Sequence, residues 1–366
     1  MYLSEFLKRT NKWPRHYVHI FLVVTSAISG WIFSNTGIPL AWLIGPLITV
    51  VLCILGGMEN LMIPVWFRRG ALIVIGAALG LKITPDMGKA MMDHLGLMLT
   101  TTLIMIMFSL VTAWMLHRKQ KVEQVTAIFS SIPGGLSEMI SLGQSQGGNL
   151  QIISMFHSIR VMMIVLLNPF LITLLPLQTG GGMISVAALN QIVLAILPTI
   201  GIIGLGAVGA FLARRIKIPS PYLLGSLSVV ALLSLTSFET GTPYTFSDIL
   251  MNTAQLIFGI SIGGEWKRAE VIKNRVMFFY GFMYNMLLWL FSIVVAAALA
   301  YFTGIPFTTW LLAAAPGGLA EMSVTALEIG ADALFVTSFQ LFRIVFIVTI
   351  FSFCIRWYLK GTAAKA

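Results

Sequence analysis

The sequence predicts an all-α polytopic membrane protein made of two inverted repeats. Each repeat holds about five transmembrane helices plus a re-entrant hairpin at a Pro-Gly-Gly break. Three observations predict this class: charge is scarce, long apolar segments recur in a repeated order, and basic residues cluster in particular loops.

The charge count is the first. Of 366 residues, 23 are Lys or Arg and 13 are Asp or Glu, so 10% are charged and 58% are apolar. A soluble domain carries roughly 25% charge. A soluble globule could not solvate a surface so poor in charge, so a soluble enzyme, a disulfide scaffold and a disordered chain are excluded. The net charge of +10 is scattered in small clusters rather than drawn into a basic stripe, so nucleic acid is not expected as a partner. Cys53 and Cys354 both lie in apolar runs and suggest no structural disulfide. No small-residue cleavage site closes the first apolar run at Trp31 and Phe33, so it reads as an uncleaved helix.

The apolar segments follow in order. After a cytoplasmic tail (1–15), the first repeat (16–176) holds Tyr17 to Asn35, Ile38 to Gly56, Trp66 to Leu81 and Leu95 to Leu116. An interrupted segment, Val122 to Gln146, and a long run, Leu150 to Leu175, complete it. A linker (177–188) with Gly180, Gly181 and Gly182 leads to the second repeat (189–366). There the segments are Leu189 to Ala213, Pro219 to Leu235, Ile249 to Gly264, Val276 to Phe302, the interrupted Ile305 to Leu327, and Ala333 to Trp357.

The repetition extends to the residues. At an offset of 183, residues 130–172 align without gaps on 313–355, with 13 identities in 43 positions. These include Pro133-Gly134-Gly135-Leu136 with Pro316-Gly317-Gly318-Leu319, Glu138-Met139 with Glu321-Met322, and Arg160 with Arg343. At an offset of 180, Ile38-Pro39 and Gly45 match Ile218-Pro219 and Gly225. A duplicated unit is the direct reading.

Basic residues mark cytoplasmic loops. The N-terminal tail, Arg68-Arg69, Arg118–Lys121, Arg214–Lys217, Lys267–Arg275 and Arg356–Lys365 read as inside. The linker, the acidic loop around Glu239 and Asp248, and the Gly304 loop read as outside. Four crossings return the chain to the inside at Arg118, and it must then emerge at the linker. If the interrupted segment enters and leaves on one side, each half has five crossings and the second half is inverted. Arms of about 11 residues rise about 16 Å, half a bilayer, which suits such a hairpin. The alternative, a broken helix that crosses, gives six spans per half and parallel repeats.

Broken helices in inverted repeats are the plan of secondary transporters. The second arm of each interrupted segment starts with unpaired N–H groups and the positive end of a helix dipole, which can hold an anion. Gly134, Gly135, Gly317 and Gly318 would let a ligand approach the backbone, unless the break is a simple turn. Glu138 and Glu321 fall in the first turn of those arms, and Arg160 and Arg343 fall near mid-depth, where charges need partners. One reading pairs each Glu with the Arg 22 residues on. The other makes Arg160 and Arg343 a clamp for a carboxylate or similar anion, with Glu138 and Glu321 binding a coupling H⁺ or Na⁺. The two readings are compatible.

The halves differ around this region. Ser130, Ser131, Ser137 and His157 of the first match Ala313, Ala314, Ala320 and Gln340 of the second. Ser137, His157 and Gln340 therefore join the candidate substrate-binding residues, although Ser also serves as packing glue and His157 as an interior hydrogen-bonding group. Gly76/Gly80 and Gly259/Gly263 read as helix-packing pairs. The tryptophans near segment ends read as interfacial anchors. No catalytic residue, metal site or cofactor is expected, since no Walker loop, Cys-x-x-Cys, nucleophile elbow or Glu-x-x-His pair occurs.

The duplicated Pro-Gly-Gly-Leu-Ser-Glu-Met and Pro-Gly-Gly-Leu-Ala-Glu-Met strings resemble the AbrB family of bacterial membrane proteins. So do Arg160/Arg343 and the Ile38–Pro46 string with its echo at 218–226. Nearly the whole chain is covered, as two AbrB duplication units. The one departure is Ser226 in place of Pro46. The resemblance implies a bacterial cytoplasmic (inner) membrane. Members are often labelled ammonia monooxygenase or regulator of gene expression, and they are distinct from the soluble DNA-binding regulator of the same name.

The function expected is secondary transport of a small anionic solute coupled to H⁺ or Na⁺, with both termini cytoplasmic. The partners are a small-molecule or ion substrate and the lipid bilayer, with homo-oligomer formation left open. The alternative is a membrane-embedded regulator acting through a partner. A membrane monooxygenase ranks third, for want of metal ligands.

Overall fold

A computed structural model of the chain describes residues 14–36, 38–58, 61, 63–83, 93–174, 188–218, 220–240, 247–266 and 268–355. Among them the regular secondary structure is entirely helical. The first half holds α1 (Arg15–Ser34), α2 (Ala41–Gly56), α3 (Val65–Gly80), α4 (Leu95–Gln120), α5 (Gln124–Ser131), α6 (Leu136–Ser145) and α7 (Leu150–Thr173). The second holds α8 (Ala188–Arg215), α9 (Pro221–Thr240), α10 (Asp248–Gly263), the short α11 (Arg268–Lys273), α12 (Arg275–Thr303), α13 (Phe307–Ala314), α14 (Leu319–Glu328) and α15 (Ala333–Phe346). A π-helical turn, Ile347–Phe351, continues α15. The linker glycines 180–182, the N-terminal residues 1–13 and the basic C-terminus from residue 356 lie outside the described residues.

Five described helices are long and apolar enough to cross a membrane: α1, α4, α7, α12 and the run Ala333–Ile355. Three shorter apolar helices, α2, α10 and the 221–235 part of α9, accompany them. Their surfaces fit a lipid solvent. On α4, Leu95, Leu99, Leu103, Met107, Val111 and Trp114 form an exposed stripe at helical spacing. Phe279, Met283, Leu287, Leu290 and Val294 do the same on α12. In water such stripes would be unfavourable, at about 25 cal/mol per Å² of apolar surface. In lipid they are the ordinary outer surface, and these helices are compatible with a multi-pass membrane protein. Exposed Trp31, Trp66 and Trp114 stand toward helix ends.

The polypeptide forms two compact units, and each draws on both repeats. One comprises residues 1–88, 169–273 and 327–330; the other comprises 89–168, 274–326 and 331–366. The duplication boundary read from sequence is thus not a boundary between compact units.

In the first unit, α1 packs on α2, α8 on α9, α10 on α2 and α3 on α9. Small residues set these approaches. A Cβ on Gly76 or Gly80 would overlap the Leu223 and Leu227 carbonyls, while one on Gly259 would overlap that of Leu43. On Gly263 it would stand 2.8 Å from Val50 and 3.1 Å from the Leu47 carbonyl. The contacts are reciprocal, because Leu43, Leu47 and Val50 of α2 correspond to Leu223, Leu227 and Val230 of α9 at the 180 offset. Leu40 and Ser220, also matched, both enter their helices with left-handed φ, 61° and 47°. The Pro46/Ser226 difference is accommodated without a change of element. Pro46 lies inside α2, whereas Ser226 lies inside α9 and donates to the Ile73 carbonyl at 2.7 Å.

In the second unit the 183 offset is equally visible. Phe108 of α4 stacks on its own counterpart, Phe291 of α12, with centroids 3.8 Å apart and planes 4° from parallel. A residue meeting its equivalent is the signature of a two-fold relation. Ile128, Phe129, Ile132, Met139 and Ile153 pack the first interrupted segment into an apolar cluster.

Candidate functional site

Each interrupted segment is two short helices separated by four non-helical residues, 132–135 and 315–318. Proline explains the stop, since it disfavours helical backbone at the residue before it and lacks an N–H. The chain then turns back on itself. The Asn149 N–H, at the far end of the first segment, donates to Thr126 Oγ1, near its start, at 2.8 Å. The matched Asp332 N–H reaches Thr309 Oγ1 at 3.4 Å. Gly147 and Gly330, the matched glycines before these caps, adopt φ of +83° and +70°. Asn149 and Asp332 then cap the following helices, accepting from Ile152 and Phe335 N–H respectively.

The buried arginines hold the carbonyl end of each break. Arg160 Nη1 donates to the Ile132 carbonyl at 2.8 Å, and Nη2 to those of Ser130 and Ser131 at 2.8 and 2.7 Å. Its Nε donates to Asn285 Oδ1 at 2.9 Å, and Nη1 also faces His157 Nδ1 at 3.4 Å. All five donors are therefore committed. Arg343 repeats the pattern: Nη1 donates to the Ala315 carbonyl at 2.7 Å, and Nη2 to the Gly317 carbonyl at 2.8 Å and to Gln340 Oε1. Such orphan carbonyls at a helix end need donors, and a cation there also suits the dipole.

His157 and Gln340 are equivalent in action as well as position. His157 Nε2 bonds the Phe129 carbonyl and Gln340 Nε2 the matched Leu312 carbonyl, both at 2.8 Å. An imidazole nitrogen facing a carbonyl must carry its proton, so Nδ1 is left as acceptor toward Arg160 and the ring is neutral.

A glutamate carboxylate stands beside the amide end of each break. Gly135 is the N-cap of α6, and Glu138 stands at the third helical position, where a capping-box glutamate folds back. A Cβ on Gly135 would overlap Glu138 Oε2, and one on Gly318 would overlap Glu321 Oε2. Glu138 is half-buried and Glu321 buried. A Cβ on Gly134 would sit 2.7 Å from Met139 Sδ, and one on Gly317 3.0 Å from Met322 Cε.

The space expected to admit a ligand beside Gly134, Gly135, Gly317 and Gly318 is taken in this structure by the protein's own Met and Glu side chains. Each second-arm N-terminus already carries a carboxylate. Arg160 spends its donors on carbonyls, an amide and an imidazole, so it neither pairs with Glu138 nor offers a free fork to an anion. The side chain of Ser137 lies outside what the structure describes.

Four polar atoms described in this unit remain without a hydrogen-bond partner although fully buried: Thr101 Oγ1, Ser130 Oγ, Ser131 Oγ and Arg343 Nε. Among the described residues, no group of three or more His, Cys, Asp or Glu is placed to hold a metal ion.

Sequence reasoning missed two asparagines. Asn285, on α12, accepts from Arg160 and donates to the Phe156 and Gly281 carbonyls at 3.0 and 2.8 Å. Asn168, on α7, accepts from Trp289 Nε1 at 2.7 Å and donates to Met322 Sδ at 3.5 Å. Both are buried, and a lone amide in an apolar run was the available signal.

The chain matches the model of a family described as "Transition state regulatory protein AbrB" over residues 5–86 and 42–359. It is 30% identical to "Uncharacterized protein YhjN" of Bacillus subtilis (strain 168) over 354 residues, 90% of either chain. It is 23% identical to "Putative regulator AbrB" of Escherichia coli (strain K12) over 341 residues, 88% of this chain and 91% of the relative. No solved structure matches it. The duplicated helical membrane chain described above belongs to the AbrB family.

Proposed function

We propose that this protein is a secondary transporter of a small anionic solute, driven by H⁺ or Na⁺, in the bacterial inner membrane. The observation that carries the reading is the pair of broken helices whose ends lie side by side, Asn149 on Thr126 and Asp332 on Thr309. A broken helix that crossed the bilayer would hold those ends roughly 30 Å apart. Arms of 8 and 10 residues rise about 12 and 15 Å, half that depth. Two re-entrant hairpins leave five crossings in each half, so the halves are inverted and both termini are cytoplasmic. Interrupted helices with buried charge inside inverted repeats are what secondary transporters use to bind solute at the midplane. In this reading Arg160, His157 and Gln340 keep the breaks in shape, and Glu138 and Glu321 take the coupling ion.

Uptake by proteoliposomes tests it, with a panel of carboxylates and amines and imposed H⁺ or Na⁺ gradients. Gradient-driven flux of a carboxylate, lost in Arg343→Gln, supports the reading. Absence of flux for every solute overturns it.

The name of the Escherichia coli relative and the description of the family favour a second reading, a regulator acting through a partner. Ligand-dependent capture of a specific partner by a protein without flux would select it.

A further inference from the structure

The two arginines at the breaks are matched by sequence and share one matched carbonyl partner, Ile132 and Ala315, yet their Nε donors differ. Arg160 Nε is held by Asn285 Oδ1 at 2.9 Å, whereas Arg343 Nε is fully buried with no acceptor. The cause is legible in the repeat. At the 183 offset that superposes Phe108 on Phe291, and the Ser109–Ile106 bond on the Ser292–Trp289 bond, Asn285 corresponds to Thr102. Thr102 is buried on α4, which packs against α15, the helix of Arg343. The duplication thus supplies an internal acceptor in one half and omits it in the other. A buried N–H of a cation without an acceptor is costly, so its retention calls for an occupant.

We propose that Arg343, and not Arg160, contacts the transported solute, and that the contact is a charge-assisted hydrogen bond from Nε to a carboxylate oxygen. This rests on the transport reading above and narrows it to one side chain. A donor N–H cannot hold a bare cation or an ammonium group, and among acceptors a carboxylate oxygen binds it most strongly. Ser130 Oγ and Ser131 Oγ, also buried without partners, belong to residues whose carbonyls anchor Arg160.

The test gives Arg343 the acceptor that Arg160 has. Full-length protein in nanodiscs is titrated with acetate, succinate and ammonium at constant ionic strength, with unfolding midpoints as readout. Wild type is stabilised by acetate or succinate, and Thr102→Val binds as wild type does. Thr102→Asn weakens binding by roughly tenfold to a hundredfold, with a ligand-free midpoint at or above that of wild type. Should Thr102→Asn not fold, Arg343→Lys, which keeps the charge and loses Nε–H, must show the same weakening. Unchanged affinity in the variant, binding of ammonium alone, or binding of neither carboxylate overturns the proposal. Flux measured alongside separates the two failures. Wild-type flux that persists in Thr102→Asn refutes this contact and leaves transport standing, while absent wild-type flux refutes transport itself.

Discussion

Arg160 and Asn285 are joined by a hydrogen bond of 2.9 Å between residues 125 positions apart, one from each half of the duplicated chain. Asn285 spends its amide on the Phe156 and Gly281 carbonyls, so its oxygen is held toward the guanidinium. The guanidinium in turn carries the three terminal carbonyls of α5 and its break. One asparagine on α12 therefore fixes the geometry of a break on the other half.

Replacing Asn285 by Leu should strand Arg160 Nε, which is buried. The expected loss is about 1 to 3 kcal/mol of stability. Thermal unfolding in detergent would show a lowered midpoint. An unchanged midpoint would mean that the break does not depend on this contact.

The glycines at the breaks make a second prediction. Gly135→Ala and Gly318→Ala place a Cβ on the glutamate carboxylate and must expel it from the helix N-terminus. Uptake should fall in both, because the glutamate is displaced. Gly96→Ala and Gly204→Ala, where a Cβ meets nothing within 4 Å, should leave uptake at the wild-type level. Equal behaviour of all four variants would contradict the role given to Glu138 and Glu321.

Helix packing in the first unit makes the third. Gly76→Ala and Gly259→Ala each drive a methyl group into a backbone carbonyl of the matched helix, which cannot move aside as a side chain would. Each should cost about 1 to 3 kcal/mol, as overpacking does. Gly70→Ala, in open space on the same helix as Gly76, should cost nothing measurable in the same unfolding assay. The near-equality of the two destabilisations is the specific expectation, since the contacts are reciprocal.

Much of this architecture was legible in the residues. The segment predicted at Leu150 to Leu175 is α7 at Leu150–Thr173, and Leu95 to Leu116 extends to Gln120 as α4. Apolar runs end where charge or Gly begins, and hydropathy reports this directly. The break at Pro133 and Pro316 was equally plain, because proline acts locally. The partners of the arginines were hidden for a physical reason. Main-chain carbonyls are the same in every residue, so no pattern reveals that Arg160 caps residues 130–132. The role of Asn285 needed the offset to be carried back beyond Ser130, to where identity fades but the Phe108–Phe291 stack still preserves register.

In the proposed topology each Pro-Gly-Gly segment enters and leaves on one face, and the two do so from opposite faces. Single cysteines at Lys121, Ser145 and Glu328, all exposed, test it in a chain with Cys53 and Cys354 replaced. Intact right-side-out cells and inverted vesicles are treated with a membrane-impermeant maleimide. Lys121→Cys and Ser145→Cys should react only in inverted vesicles, and Glu328→Cys only in intact cells. Labelling of Lys121→Cys and Ser145→Cys from opposite faces would show a crossing helix. Labelling of all three from one face would show that the halves are not inverted.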